Sequence, residues 1–205
     1  MQAIVQTRYG APDVLQLEQR ATPVPKQDEL LIRIEASPVT AADSMMRRGT
    51  PYFGRLFLGL FKPRQAIPGT GFSGVIEATG RDVQTFTVGE HVMGESVSSA
   101  GTHCQYVCVA QDDVICRKPD NVSHAEAATL CDGPVTSYHF LHRLGNVQAG
   151  HHVLINGAAG SLGSAAVQLA KCAGATVTGV CSTANHEFVR SLGADDVIDY
   201  HHTDP

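Results

Sequence analysis

The stretch Gly157-Ala158-Ala159-Gly160-Ser161-Leu162-Gly163 is the part of this chain best suited to hold a ligand for chemistry. Glycines at that spacing allow a tight turn and let a guest approach the backbone closely. The apolar run His152-Val153-Leu154-Ile155-Asn156 precedes it, and a helical pattern over about 161–173 follows it. A strand-to-helix turn aims the unpaired N–H groups of the first helical turn at whatever lies in front of them. A pyrophosphate suits that geometry. The bare G-x-x-G-x-x-G spacing is weak evidence on its own. The competing reading is a strand-to-helix turn that simply needs glycine.

The next strand narrows the choice of guest. Sheets that bind NAD place an Asp or Glu about 20 residues after the glycines, on the ribose hydroxyls. Here Thr176-Val177-Thr178-Gly179-Val180-Cys181 runs into Ser182-Thr183-Ala184-Asn185 without a carboxylate. An acid there would repel a 2′-phosphate, and its absence removes that obstacle. Ser182 and Thr183 offer hydroxyl donors, with His186 and Arg190 one and two turns away. Each bond to a charged phosphate is worth about 1.5–3 kcal/mol. The reading is therefore NADPH over NADH. Ser182 and Thr183 also suit a helix cap, and the two roles are compatible. A methyltransferase shares the β-α-β pattern but usually wants an acid at the same place.

The elements that must position these residues fall into two textures. Up to about residue 122 the chain reads as short strands, at 2–8, 13–19, 30–36, 72–79, 90–98, 103–109 and 113–117, with Gly and Pro turns. Such a pattern predicts a β-barrel or sandwich. Residues 40–48 lack strand alternation and stop at Gly49, which predicts a short glycine-capped helix. A loop through Tyr52, Leu56 and Phe57 to Pro63 is apolar enough to cover the core or a ligand. From Ser123 the pattern changes to α/β. Ser123-His124-Ala125-Glu126 fits a capping box, and helices are predicted to Leu130, over 134–144, 161–173 and 185–192. They alternate with strands at 152–156, 176–181 and 196–199, which predicts a parallel sheet with right-handed crossovers. The expected domains are 1–122 and 123–205.

Composition limits the function classes. The chain has 205 residues, 15 basic and 20 acidic side chains and a formal net charge of −5. With 43% apolar and 17% charged residues it has the balance of a folded globular protein. The mild acidity argues against a nucleic-acid binder. No run approaches the roughly 18 apolar residues of a membrane span. The N-terminus lacks the order of a secretory signal. These features predict a cytoplasmic protein with no membrane partner. Six cysteines form no Cys-x-x-Cys pair and read mostly as small buried hydrophobes. The pairs His151-His152 and His201-His202 would point to opposite faces of a strand and make poor chelates.

Together the motifs resemble those of the zinc-independent medium-chain dehydrogenases/reductases, near their quinone oxidoreductase-like members. The likeness is carried by Pro68 through Gly80, Val88-Gly89-Glu90-His91-Val92-Met93-Gly94, Gly101 through Val107, and Glu126-Ala127-Ala128 with Thr136-Ser137-Tyr138. It continues through Asn156 to Lys171 and Ser191 to Tyr200. The resemblance implies a GroES-like β domain followed by a Rossmann domain, and hydride transfer from NADPH to a quinone or an enone. It implies that Gly157, Ala158, Gly160, Ser161, Leu162 and Gly163 hold the pyrophosphate. Ser182, Thr183 and Tyr200 would meet the adenosine 2′-phosphate, and Thr136 would lie near the nicotinamide. Thr40 and Asp43 occupy active-site positions, and Tyr52 is either a proton donor, a pocket wall or a loop tyrosine. Zinc-dependent relatives carry a Cys and a Gly-His-Glu where this chain has Thr40 and Thr70-Gly71-Phe72, so no zinc is expected. The family's common Asn is Thr40 here, a frequent Tyr is Met45, and the Lys for the 2′-phosphate is Asn185 or His186.

Only the first half of a dinucleotide-binding sheet is present: strands one, two and three. The chain is therefore read as a fragment of a longer protein, weak in cofactor binding and inactive by itself. Strand one would be an open apolar edge, which predicts pairing with a second copy and so a homo-oligomer. A second reading keeps the cofactor fold but not the catalysis: a binding or adaptor protein of the same family.

Overall fold

The computed structural model describes residues 1–96 and 101–202, in two compact units, Met1–Thr129 and Leu130–Pro205. Each is described by itself.

In the first unit, β1 (Gln2–Gln6) and β2 (Leu15–Gln19) form an antiparallel pair with Gln2 opposite Gln19. A five-stranded antiparallel sheet is built from β3 (Glu29–Ala36), β4 (Gly71–Thr79), β5 (His91–Glu95), β6 (Tyr106–Ala110) and β7 (Val114–Arg117). Its order is β6-β3-β4-β5-β7. Leu30 and Ile32 of β3, Phe72 and Ile76 of β4, Val92 of β5, and Val107 and Val109 of β6 make its core. The two-residue spacing of most of these pairs sends them to one face of the sheet, as strand geometry requires. This is the curled sheet of a GroES-like domain. The expected strand over 90–98 ends at Glu95, and residues 97 and 98 lie outside the described residues.

Helix α1 (Ala41–Arg48) follows β3 and stops at Gly49, whose φ of 63° is the left-handed cap that the sequence predicted. The stretch read as plain loop contains a 3₁₀ turn, Tyr52–Gly54, running into α2 (Arg55–Leu58). Helix α3 (His124–Leu130) lies almost wholly in the first unit, so the units part after it and not at 122/123. Its tie to the sheet explains why. Ser73 Oγ donates to Val92 O at 2.9 Å and lies 2.8 Å from His124 Nδ1. The single hydroxyl proton is thereby used, so Nδ1 of His124 is the donor to Ser73. His124 Nε2, 2.9 Å from His91 Nδ1, is then the acceptor.

This arrangement is that of a neutral His124, and charging it would turn the His91 Nδ1 contact from donor to acceptor. Burial pushes its pKa below the ordinary value, and His91, Lys118 and Arg33 push the same way, against Glu35. A lowered folded-state pKa means that the unfolded chain binds the extra proton first. The stabilisation is present above the unfolded value of about 6.5 and is lost as pH falls through the folded value. Urea midpoints of the first unit are expected to drop between about pH 7.5 and about pH 5.5, and His124→Gln is expected to flatten that dependence.

In the second unit, β8 (His152–Asn156), β9 (Thr176–Cys181) and β10 (Asp196–Asp199) form a parallel sheet ordered β10-β9-β8, the start of a Rossmann fold. Val153 pairs with Val177 and Ile155 with Gly179. Helix α5 (Ser161–Cys172) crosses from β8 to β9, and α6 (His186–Ser191) from β9 to β10. The core joins Ile155, Val167, Ala170, Val177 and Val189. The helix expected over 134–144 is α4 (Gly133–Tyr138), continued by a wider π turn over His139–Leu144. Among the described residues β8 pairs only with β9, and Leu154 is 57% exposed on it. That is the open apolar edge expected from the sequence.

Candidate functional site

The glycine turn is built by the end of β8. Gly157 takes φ 71°, in the left-handed region that favours glycine, and Ala158 N donates to Val180 O at 3.0 Å. The turn is thus pinned to β9. Gly160 N donates back to Gly157 O at 2.9 Å, and Gly160 caps α5 without any side-chain bond. The first intrahelical bond runs from Ser164 N to Gly160 O at 2.8 Å. The amides of Ser161, Leu162 and Gly163 precede it, so helix geometry leaves them without an i−4 partner.

Gly163 is where the turn and α5 close on each other. A Cβ there would sit 2.1 Å from Gly157 O. At Gly157 a Cβ would meet nothing within 4 Å, so the mouth of the turn is open. An open mouth, three amides and the positive end of a twelve-residue helix fit a doubly charged diphosphate.

Helix α4 lies against the same helical turn. A Cβ on Gly133 would come 2.4 Å from Ser161 Oγ, and buried Ser137 donates to Leu162 O at 2.8 Å. Thr136 is half-buried on this helix beside Ser137. No motif in the sequence assigns Ser137 a role. Its signal was only its place next to Thr136, and its work is to hold α4 against the start of α5.

The corner at the ends of β9 and β10 corrects one expectation. The sequence places Thr183 as a hydroxyl donor where the second strand brings no carboxylate. Its hydroxyl instead donates to Asp199 Oδ2, and Asp199 Oδ1 accepts from His201 N at 2.9 Å. The Thr183 hydroxyl and then the His201 amide hold the Asp199 carboxyl below the usual carboxylate range. An acid therefore does reach this corner, from the third strand and not the second. It is buried, and His186 Nε2 lies 4.0 Å from it. Ser182 Oγ accepts from Asn185 Nδ2 at 3.1 Å, which leaves its proton to donate. Tyr200 is half-exposed and its ring tilts against His201 at 4.4 Å.

The three first-unit candidates are not equivalent. Thr40 and Asp43 form a complete capping box. Asp43 Oδ2 accepts from Thr40 N at 2.7 Å and from Thr40 Oγ1 at 2.8 Å, and Thr40 Oγ1 accepts from Asp43 N at 3.3 Å. Both residues are thus fixed by the need to start α1. Asp43 is buried and its Oδ1 has no hydrogen-bond partner. It lines a cavity of about 500 Å³ with Ser37, Ser44, Arg47, Thr102 and His103. Tyr52 is not among the residues that line this cavity. It is 73% exposed, under the Arg55 guanidinium at 4.9 Å.

No group of three or more His, Cys, Asp or Glu among the described residues is placed to hold a metal ion. The cysteines are less buried than expected. Cys131 and Cys181 are buried, Cys104 and Cys108 half-buried, and Cys116 and Cys172 exposed. Burial pushes the Cys104 and Cys108 thiols up to about 11, so neither is a ready nucleophile. No helix among the described residues is long and apolar enough to cross a membrane.

Comparison with known proteins agrees with this geometry. Residues 26–142 match the Alcohol dehydrogenase GroES-like domain, and residues 161–205 match the Zinc-binding dehydrogenase family. The chain is 34% identical over 208 residues to the chloroplastic quinone-oxidoreductase homolog of Spinacia oleracea, covering 98% of this chain and 61% of that protein. It is 34% identical over 210 residues to the 2-methylene-furan-3-one reductase of Solanum lycopersicum, covering 98% and 52%. The solved quinone oxidoreductase of Coxiella burnetii superposes with a TM-score of 0.88 at 33% identity, covering 100% of this chain and 63% of that one. The chain thus spans less than two thirds of the length of these relatives. With a GroES-like sheet, a glycine-turn Rossmann start and these matches, the chain belongs to the medium-chain dehydrogenase/reductase superfamily, among its quinone oxidoreductase-like members.

Proposed function

We propose that this protein is a reductase that uses NADPH to pass hydride to a quinone or an enone, without zinc. The observation that carries the reading is the start of α5, where three amides without helical partners face an open glycine turn. The names of two relatives, a quinone-oxidoreductase homolog and a 2-methylene-furan-3-one reductase, support the acceptor class.

In this reading Ser161, Leu162 and Gly163 bind the diphosphate through their N–H groups. Ser182 donates its hydroxyl to the 2′-phosphate, with His186 and Arg190 following on α6. Thr136 lines the nicotinamide side. The bound nicotinamide supplies the hydride. The acceptor needs positioning more than a Lewis acid, because the negative charge it gains spreads onto oxygen. The proton comes from the Tyr52 phenol or from solvent. Simple alcohols, which would require an unassisted alkoxide, are expected to be poor substrates.

The test is NADPH and NADH oxidation by the longest form of the protein its gene encodes, with quinones and enones as acceptors. Acceptor-dependent oxidation, faster with NADPH, is the expected result. Dinucleotide binding without turnover on any acceptor would instead favour a non-catalytic binder. No binding at all would remove the reading.

A further inference from the structure

Six large apolar side chains stand in solvent within ten residues of the first unit: Tyr52, Phe53, Leu56, Phe57, Leu60 and Phe61. Phe57 is 78% exposed and Phe61 87%. They come as adjacent pairs four residues apart; over the 3₁₀ turn and α2 that spacing brings Tyr52-Phe53 and Leu56-Phe57 to neighbouring positions, and Leu60-Phe61 follow directly after the Gly59 turn. A globular surface rarely tolerates so dense an apolar cluster without a purpose.

The segment is held, not loose. Arg55 Nε donates to Gly49 O at 2.9 Å, and its guanidinium lies 4.4 Å above the Tyr9 ring. Tyr9 Oη donates to Gly59 O at 2.6 Å, and Arg64 N donates to Leu58 O at 2.7 Å. The fold therefore spends polar bonds on presenting these side chains outward.

Charge identifies what they meet. Arg48, Lys62 and Arg64 are exposed around the cluster. No acidic residue occurs between Asp43 and Glu77, although the chain as a whole carries −5. Lysine is depleted from the cores of protein–protein interfaces. Aromatic and leucine side chains flanked by Lys and Arg are the pattern of a segment lying in the headgroup layer of an anionic bilayer. We propose that residues 52–64 dock this protein on an anionic lipid surface. The aromatic and leucine side chains enter the acyl boundary, and Arg48, Lys62 and Arg64 meet headgroup phosphates. The expectation of no membrane partner rested on the lack of a spanning segment, and surface docking needs none. The docking takes Tyr52 into the lipid interface, so with it the proton in the reductase reading comes from solvent.

The experiment is flotation of the full chain with vesicles of phosphatidylcholine alone and of phosphatidylcholine with about 30 mol% phosphatidylserine. Binding to the anionic vesicles is expected to exceed binding to the neutral ones by about tenfold or more, and to fall as salt is raised. Phe53→Ser/Phe61→Ser is expected to weaken vesicle binding by about tenfold or more, with an unchanged melting curve because both side chains are exposed. Lys62→Gln/Arg64→Gln is expected to narrow the gap between the two vesicle types. Equal binding to both vesicles, or none to either, overturns the proposal. So does a dimer that Phe53→Ser/Phe61→Ser converts to monomer while vesicle binding stays absent, because the occupant is then a second copy.

Discussion

Gly163→Val is expected to break the second unit and its cradle together. The added Cβ would stand 2.1 Å from Gly157 O and 2.7 Å from Ala158 Cα, both backbone atoms that no rotamer change can move. Either α5 lifts off the turn or the turn leaves β9 and gives up the bond from Ala158 N to Val180 O. Overpacking of this kind costs about 3 kcal/mol or more. Urea unfolding followed in the second unit measures the loss, and calorimetric titration with dinucleotide measures the cradle. Gly157→Ala is the control. Its φ of 71° strains an alanine, but nothing lies within 4 Å, so the cost is about 1–2 kcal/mol and the close approach survives. Equal stability losses for the two variants would show that the approach at Gly163 is not what holds the turn.

Asp43→Ala is the second large effect, about 2 kcal/mol in the stability of the first unit. It strips Thr40 N–H and the Thr40 hydroxyl of their common acceptor at the start of α1. Thr40→Ala removes the same box from the other side. The two losses are therefore expected not to add, with the double variant about 1 kcal/mol more stable than the sum predicts. Denaturant melts of the four proteins of this cycle check it. Additive losses would mean that the two side chains act separately, as independent active-site groups would.

The fold was legible where local pattern and long-range packing agree. The alternation of Leu30 and Ile32 is that of a half-buried strand, and they lie in the core. The apolar Val153-Leu154-Ile155 run with too few strands beside it announced an edge, and Leu154 stands exposed there. The site was legible only in part. Gly157 to Gly163 could be read because a strand, a turn and a helix adjoin in sequence. Asp199 was missed because its partner Thr183 is sixteen residues away and meets it only through the parallel pairing of β9 with β10. Thr40 and Asp43 carried a capping signal in their own spacing, which the active-site resemblance overshadowed. The apolarity of residues 52–61 was visible, but its direction was not. A sequence shows that side chains avoid water on average, and only the backbone path shows that these face it.

The position of β8 has a topological consequence. From β8 through β9 to β10 the sheet grows in one direction, and right-handed crossovers along that path put both connecting helices on one face. Any parallel strand that continues from β10 and joins beside Leu154 must travel the opposite way. A right-handed crossover in that direction places its connecting helix on the other face of the sheet. Such a strand would reverse the winding at β8, and a reversal between neighbouring strands opens a crevice at their C-terminal ends. The glycine turn sits at that end of β8, so a chain that changed its sense of travel there would give a guest in the turn a second wall.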